Sequence, residues 1–141
     1  NRADAEAQAL EHLAFVGLAQ DAHRPAAALP LPGRKRLELA KSLAMRPKVL
    51  LLDEVNAGLN SGEVDQALDL MRRIAAQGIT ILIIEHLMKV VLTLSQRVLV
   101  LHQGRLISSG DTASVVQDPQ VVEAYLGSKF AERQRRMTAN G

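Results

Sequence analysis

Two apolar runs constrain this chain more than any other feature. "KVLLLDE" (48–54) and "ITILIIEH" (79–86) each carry four aliphatic residues in unbroken succession and then end in charged side chains. A run with no polar alternation suits a strand covered on both faces, the usual state of parallel strands in α/β sheets. Between the runs lies a helical pattern. Val64, Ala67, Leu68, Met71, Ile74 and Ala75 fall on one face, Asn60 and Glu63 make a capping box at its start, and Gly78 stops it. Strand, helix, strand in that order predicts a parallel α/β sheet with flanking helices.

The flanking segments follow the same logic. Residues 3–18 read as a helix, with Ala7, Leu10 and Ala14 on its apolar side. "AQDAHRPAAALPLPG" (19–33) is a connection punctuated by Pro25, Pro30, Pro32 and Gly33. A second helix is expected from about Arg34 to Met45, with Leu37, Ala40 and Ala44 in one stripe, Leu39 and Leu43 beside it, and Pro47 closing it. After the second strand come a short helix at 87–95, two strands in "RVLVLHQGRLISSG" joined at Gln103-Gly104, and short helices near 111–117 and 119–126.

Composition narrows the function classes. Aromatic residues are 2% of the 141, so the core is aliphatic and surfaces for stacking on bases are nearly absent. There is no cysteine, which excludes disulfides and thiolate metal sites. No apolar run approaches the ~18 residues of a membrane span. The first residues, "NRADAEAQAL", lack the apolar stretch of a signal peptide, and with no initiator Met the chain reads as a piece of a longer one. The net charge of +2 is uneven: the segment from Lys129 to Gly141 carries about +3, leaving about −1 for the rest. Such a tail is expected to be a solvated, flexible terminus, and no nucleic-acid partner is expected.

Ligands of open α/β sheets sit at the carboxyl ends of the strands. Asp53, Glu54, Glu85 and His86 all fall there. An Asp at a strand tip can hold Mg²⁺ through hard oxygen, and a neighbouring Glu can orient an attacking water. A His at the next strand end can hydrogen-bond a phosphate or that water. Solvated acids and a structural His at ordinary strand ends would read the same way, so residue types alone leave both alternatives open.

The whole order is more specific: a Pro-Gly turn, a basic helix, "VLLLDE", the loop "AGLN", a capped helix and "ILIIEH". It resembles the C-terminal half of ABC transporter ATPases, and most of all the subgroup serving branched-chain amino acid uptake, whose ending is similar to "VVEAYLG" here. The resemblance runs to about Gly127. It implies a partial RecA-like P-loop NTPase sheet at 47–127, part of the ABC helical subdomain at 1–46, and a basic tail at 128–141. It implies ATP and Mg²⁺ as cofactors, a second ATPase subunit and membrane permease subunits as partners, and a place on the cytoplasmic face of the inner membrane.

Roles follow from the resemblance residue by residue. Asp53 matches the Walker B aspartate that supports Mg²⁺, Glu54 the catalytic glutamate and His86 the switch histidine. Ala57, Gly58, Leu59 and Asn60 match the D-loop, where two subunits face each other. Leu29, Pro30, Leu31, Pro32 and Gly33 lie where the family has its LSGGQ signature, at a helix start suited to phosphate. Here Pro30 replaces the serine hydroxyl, Pro32 removes a backbone N–H, and Val55 replaces the proline after Asp-Glu. No G-x-x-x-x-G-K-[ST] occurs in the 141 residues, so the chain by itself is expected to be inactive. A non-enzymatic module that folds and associates is the alternative. Strands expecting cover on both faces further predict self-association of the isolated chain.

Overall fold

The computed structural model describes residues 1–127 together with 136, 137 and 139, so most of the basic tail lies outside the described residues. The chain divides into two compact units, Asn1–His86 and Leu87–Gly141.

The first unit is built on the two apolar runs. Strand β1 (Val49–Asp53) and strand β2 (Thr80–Ile84) pair in parallel, with Val49 opposite Thr80 and Asp53 opposite Ile84. Helix α3 (Ser61–Ala76) is the crossover between them. Both halves of its capping box form: Asn60 Oδ1 accepts the Glu63 N–H, and Glu63 Oε2 accepts the Asn60 N–H, each at 2.9 Å. Val64, Leu68, Leu70, Met71 and Ile74 are buried along it, each contributing about 1.5–3 kcal/mol at most relative to exposure. Ala75, expected on that face, is exposed.

Cover of the parallel pair is one-sided. Leu50 and Leu52 are buried at 6% exposure each, whereas Val49, Leu51, Leu82 and Ile84 stand 54%, 70%, 49% and 59% exposed. The second face that the runs call for therefore finds no cover among the described residues.

Helix α1 (Arg2–Phe15) is shorter than expected and buries none of its residues, so the Ala7, Leu10 and Ala14 stripe faces solvent. Alanines carry too little apolar surface to fix which face a helix buries. Val16 and Leu18, just past its end, enter the core instead, and the chain turns between them at Gly17 with φ +82°. The Arg73 guanidinium sits 5.0 Å above the Phe15 ring and donates to the Phe15 carbonyl at 3.1 Å.

Helix α2 (Leu31–Ala44) begins three residues before the expected Arg34. Pro30 is its N-cap and Pro32 occupies the second helical position. Proline is tolerated there, because an N–H in the first turn has no intrahelical acceptor to lose. Its buried side is Gly33, Leu39, Ala40 and Leu43; Leu37 is half-buried and Ala44 exposed, so the stripe is rotated from the expected one.

In the second unit, helix α4 (Met88–Leu94) precedes a hairpin of β3 (Arg97–His102) and β4 (Arg105–Asp111). Gln103 and Gly104 turn it with φ +48° and +76°, the pairing that a two-residue hairpin with right-twisted strands requires. Helices α5 (Thr112–Val115) and α6 (Pro119–Val121) follow, and a π-helical turn continues to Leu126. The Tyr125 hydroxyl donates to the Leu101 carbonyl, and its ring meets His102 edge-on at 5.8 Å. Val90, Val115, Val116 and Val121 form the core of this unit. No helix among the described residues is long and apolar enough to cross a membrane.

Candidate functional site at the carboxyl ends of the parallel pair

Asp53 is the last residue of β1 and its side chain is exposed. Glu54 continues the ladder by one bond, donating its N–H to the Ile84 carbonyl at 2.9 Å. It then turns the chain with φ +49°, a left-handed conformation that L-residues with a Cβ rarely adopt. Glu54 Oε1 stands 3.2 Å from Nδ1 of His86, two residues beyond β2. The two side chains are 52% and 64% exposed, so water reaches the contact. Parallel register brings them together: Asp53 lies opposite Ile84, and both chains then leave the sheet on the same side.

A second layer lies beneath. Asn56 is buried at 1% exposure, and its Nδ2 donates to Glu85 Oε2 at 3.0 Å. Glu85 Oε1 accepts the His86 N–H at 3.0 Å, and the Glu85 side chain is only 2% exposed. Asn56 Oδ1 is buried without a partner among the described residues. The strand-end pattern points to Glu85, but nothing in the sequence marks Asn56. A lone Asn in a loop looks solvated until the tertiary fold folds the 54–59 turn inward.

Ala57, Gly58, Leu59 and Asn60 run from this turn to the start of α3. Gly58 has φ +79°, and a Cβ there would lie 2.9 Å from Leu31 Cδ2. The loop thus rests directly on the first turn of α2. Just before that turn Leu29 is buried, and the Arg34 side chain donates back to the Leu29 carbonyl at 3.0 Å. The first intrahelical bond is Arg34 N–H to the Pro30 carbonyl at 3.0 Å. Of the four N–H positions ahead of it, Pro30 and Pro32 have none, which leaves Leu31 and Gly33 as donors. Gly33 is buried, and a Cβ on it would touch Leu29 Cβ at 3.4 Å. Lys35, Glu38, Ser42, Leu51, Asp53 and Val55 line a shallow cleft between α2 and β1.

Residues 105–131 match the family model of the branched-chain amino acid ATP-binding cassette transporter. Over 127 residues the chain is 36% identical to the high-affinity branched-chain amino acid transport ATP-binding protein BraF of Pseudomonas aeruginosa, covering 86% of this chain and 50% of that protein. It is 37% identical over 129 residues to LivG of Escherichia coli K12, of the same description, covering 89% and 51%. A solved ADP conformation of an ATP-binding cassette of an ABC transporter superposes with a TM-score of 0.77 at 32% identity, over 86% of this chain and 49% of that one. The chain belongs to the ATP-binding-cassette family. It corresponds to the C-terminal part of the cassette, in the branched-chain amino acid subgroup, and spans about half the length of the curated relatives it matches. The partial α/β fold agrees with that placement.

Proposed function

We propose that this chain is the C-terminal part of an ABC importer ATPase subunit that hydrolyses ATP to energise uptake of branched-chain or other hydrophobic amino acids. The carrying observation is the 3.2 Å contact of Glu54 with His86 at adjacent parallel strand ends, next to Asp53. Glu54 orients the attacking water and accepts its proton at a carboxylate oxygen. His86 fixes that carboxylate through Nδ1. Leu31 and Gly33 offer backbone N–H groups to a phosphate bound by the facing subunit, and Ala57–Asn60 lie at the seam between the two.

Among the described residues no group of three His, Cys, Asp or Glu side chains is placed to hold a metal ion by itself. Mg²⁺ takes one or two carboxylates and fills its shell with water and phosphate oxygens. Asp53 would hold it, and bound with ATP it would supply neutralising charge at the phosphates. The working assembly is a pair of ATPase subunits beneath permease subunits, on the cytoplasmic face of the inner membrane. Domain roles follow the cassette: 1–46 in the helical subdomain, 47–127 in the RecA-like core.

The two prolines in the signature turn favour one other reading, a non-enzymatic association module whose phosphate clamp has lapsed. Glu54→Gln in the full-length protein separates the two. ATP binding should persist while turnover falls by roughly 10²–10⁴. The 141-residue chain, having no P-loop, should release no phosphate above blank. Wild-type turnover in Glu54→Gln refutes the assignment of Glu54, and a full-length wild type with no ATPase activity supports the module.

A further inference from the structure

We propose that the buried Asn56–Glu85 pair is a positioning device that sets His86 against Glu54; the functional part of this rests on the ATPase reading above. The pair joins two loops. Asn56 lies three residues past β1 and Glu85 one residue past β2. Each oxygen of the Glu85 carboxylate has its own donor: Oε2 takes Asn56 Nδ2 and Oε1 takes the His86 N–H, both at 3.0 Å. The backbone position of His86 is thereby tied to the turn that carries Glu54.

The same carboxylate acts on the ring. Glu85 Oε1 lies 3.8 Å from His86 Nδ1, while Glu54 Oε1 lies 3.2 Å from it on the exposed side. Nδ1 thus lies within 4 Å of two carboxylate oxygens, which favours the tautomer with the proton on Nδ1. A carboxylate at 2% exposure is costly unless its hydrogen bonds are made, and the buried Asn56 Oδ1, without a partner among the described residues, adds to that cost. Holding the strands together does not require it, since the β1–β2 ladder already extends to the Glu54 N–H. An aliphatic pair would fill the space at lower cost, so the polar pair has a use beyond packing. Neither residue touches reacting atoms; both act through His86.

The donor–acceptor pattern gives a sharp test. Glu85→Gln keeps both contacts only if the Asn56 amide flips to accept through Oδ1, and in either orientation it removes the carboxylate charge beside His86 Nδ1. Asn56→Asp buries two carboxylates face to face. In Asn56→Asp combined with Glu85→Gln the new carboxylate accepts from the new amide, whose oxygen accepts the His86 N–H, so both contacts return, the first with its polarity reversed. In the full-length, nucleotide-free protein with ¹⁵N-histidine, each single substitution should shift the His86 ring-nitrogen signals, and the double should return them toward wild type. In ATP hydrolysis each single should lower kcat by roughly 10–100-fold with KM little changed, and the double should recover to within about threefold. If Asn56→Asp fails to fold, Glu85→Gln and the double still make the comparison. Unmoved His86 signals in the singles, or a folded double no better than Glu85→Gln in both readouts, overturns the proposal. A wild type without ATPase activity refutes the ATPase reading instead, and the His86 signals still decide the pair.

Discussion

Leu51→Lys should separate the isolated chain from its full-length parent. Leu51 is 70% exposed on the open face of the β1–β2 pair, beside Val49, Leu82 and Ile84. In a monomer of this chain the lysine has little to disturb, so folding stability should change by no more than about 0.5 kcal/mol. Self-association through this face should suffer. Full burial of a leucine is worth about 1.5–3 kcal/mol, so covering the exposed 70% is worth about 1–2 kcal/mol per copy. A symmetric pair forfeits about 2–4 kcal/mol, a weakening of roughly 30- to 1000-fold, before any cost of burying the ammonium. Sedimentation velocity from 5 to ~100 µM, run on wild type and variant, reads this directly. In the parent, where the rest of the cassette is expected to cover the face, the same substitution should destabilise by several kcal/mol, because it buries an unpaired charge. Wild-type chain that stays monomeric at ~100 µM, or a variant that associates equally well, refutes the reasoning.

Other outcomes are equally specific. Pro30→Ser with Pro32→Gly in the full-length protein should add an N-cap hydroxyl and two backbone N–H groups at the helix start, tightening ATP-dependent dimerisation; unchanged or weaker dimerisation in light scattering means the turn does not clamp phosphate. The same double change should lower the melting temperature slightly, since proline-to-glycine substitution raises unfolded-chain entropy by about 0.4–1 kcal/mol. Asn60→Ala removes the Oδ1 acceptor of the Glu63 N–H, leaving only the backbone half of the α3 capping box, and should cost about 1 kcal/mol in urea denaturation, with the slope unchanged.

The strands, the α3 box and the hairpin were legible because each has a local cause: an unbroken aliphatic run, an Asn-x-x-Glu pair, a Gln-Gly turn. The meeting of Glu54 with His86 was legible for a related reason, since parallel strands of equal length deliver their ends to one edge. The start of α2 was not. Pro32 reads as a breaker, yet in a first turn it costs no hydrogen bond, and the helix runs back through it to Leu31. The exposed α1 face was misjudged because alanine spacing carries periodicity without enough surface to enforce burial. The Asn56–Glu85 contact escaped because its polar partners lie 29 residues apart, and only the packed turn hides them.

The left-handed backbone of Glu54 has an evolutionary consequence. Holding a branched-free but Cβ-bearing residue at φ +49° costs of order 1–2 kcal/mol that glycine would not incur, and asparagine would incur less of it. Selection for fold durability alone would therefore drift this site toward Gly or Asn, and a stability-guided redesign would make the same choice. If Glu54 is the catalytic carboxylate proposed above, a glutamate kept there trades foldability against chemistry. On that reading, thermostabilised forms of the full-length protein should leave residue 54 untouched and gather their gains elsewhere; one that accepts glycine at 54 should be a sturdier fold with its turnover lost.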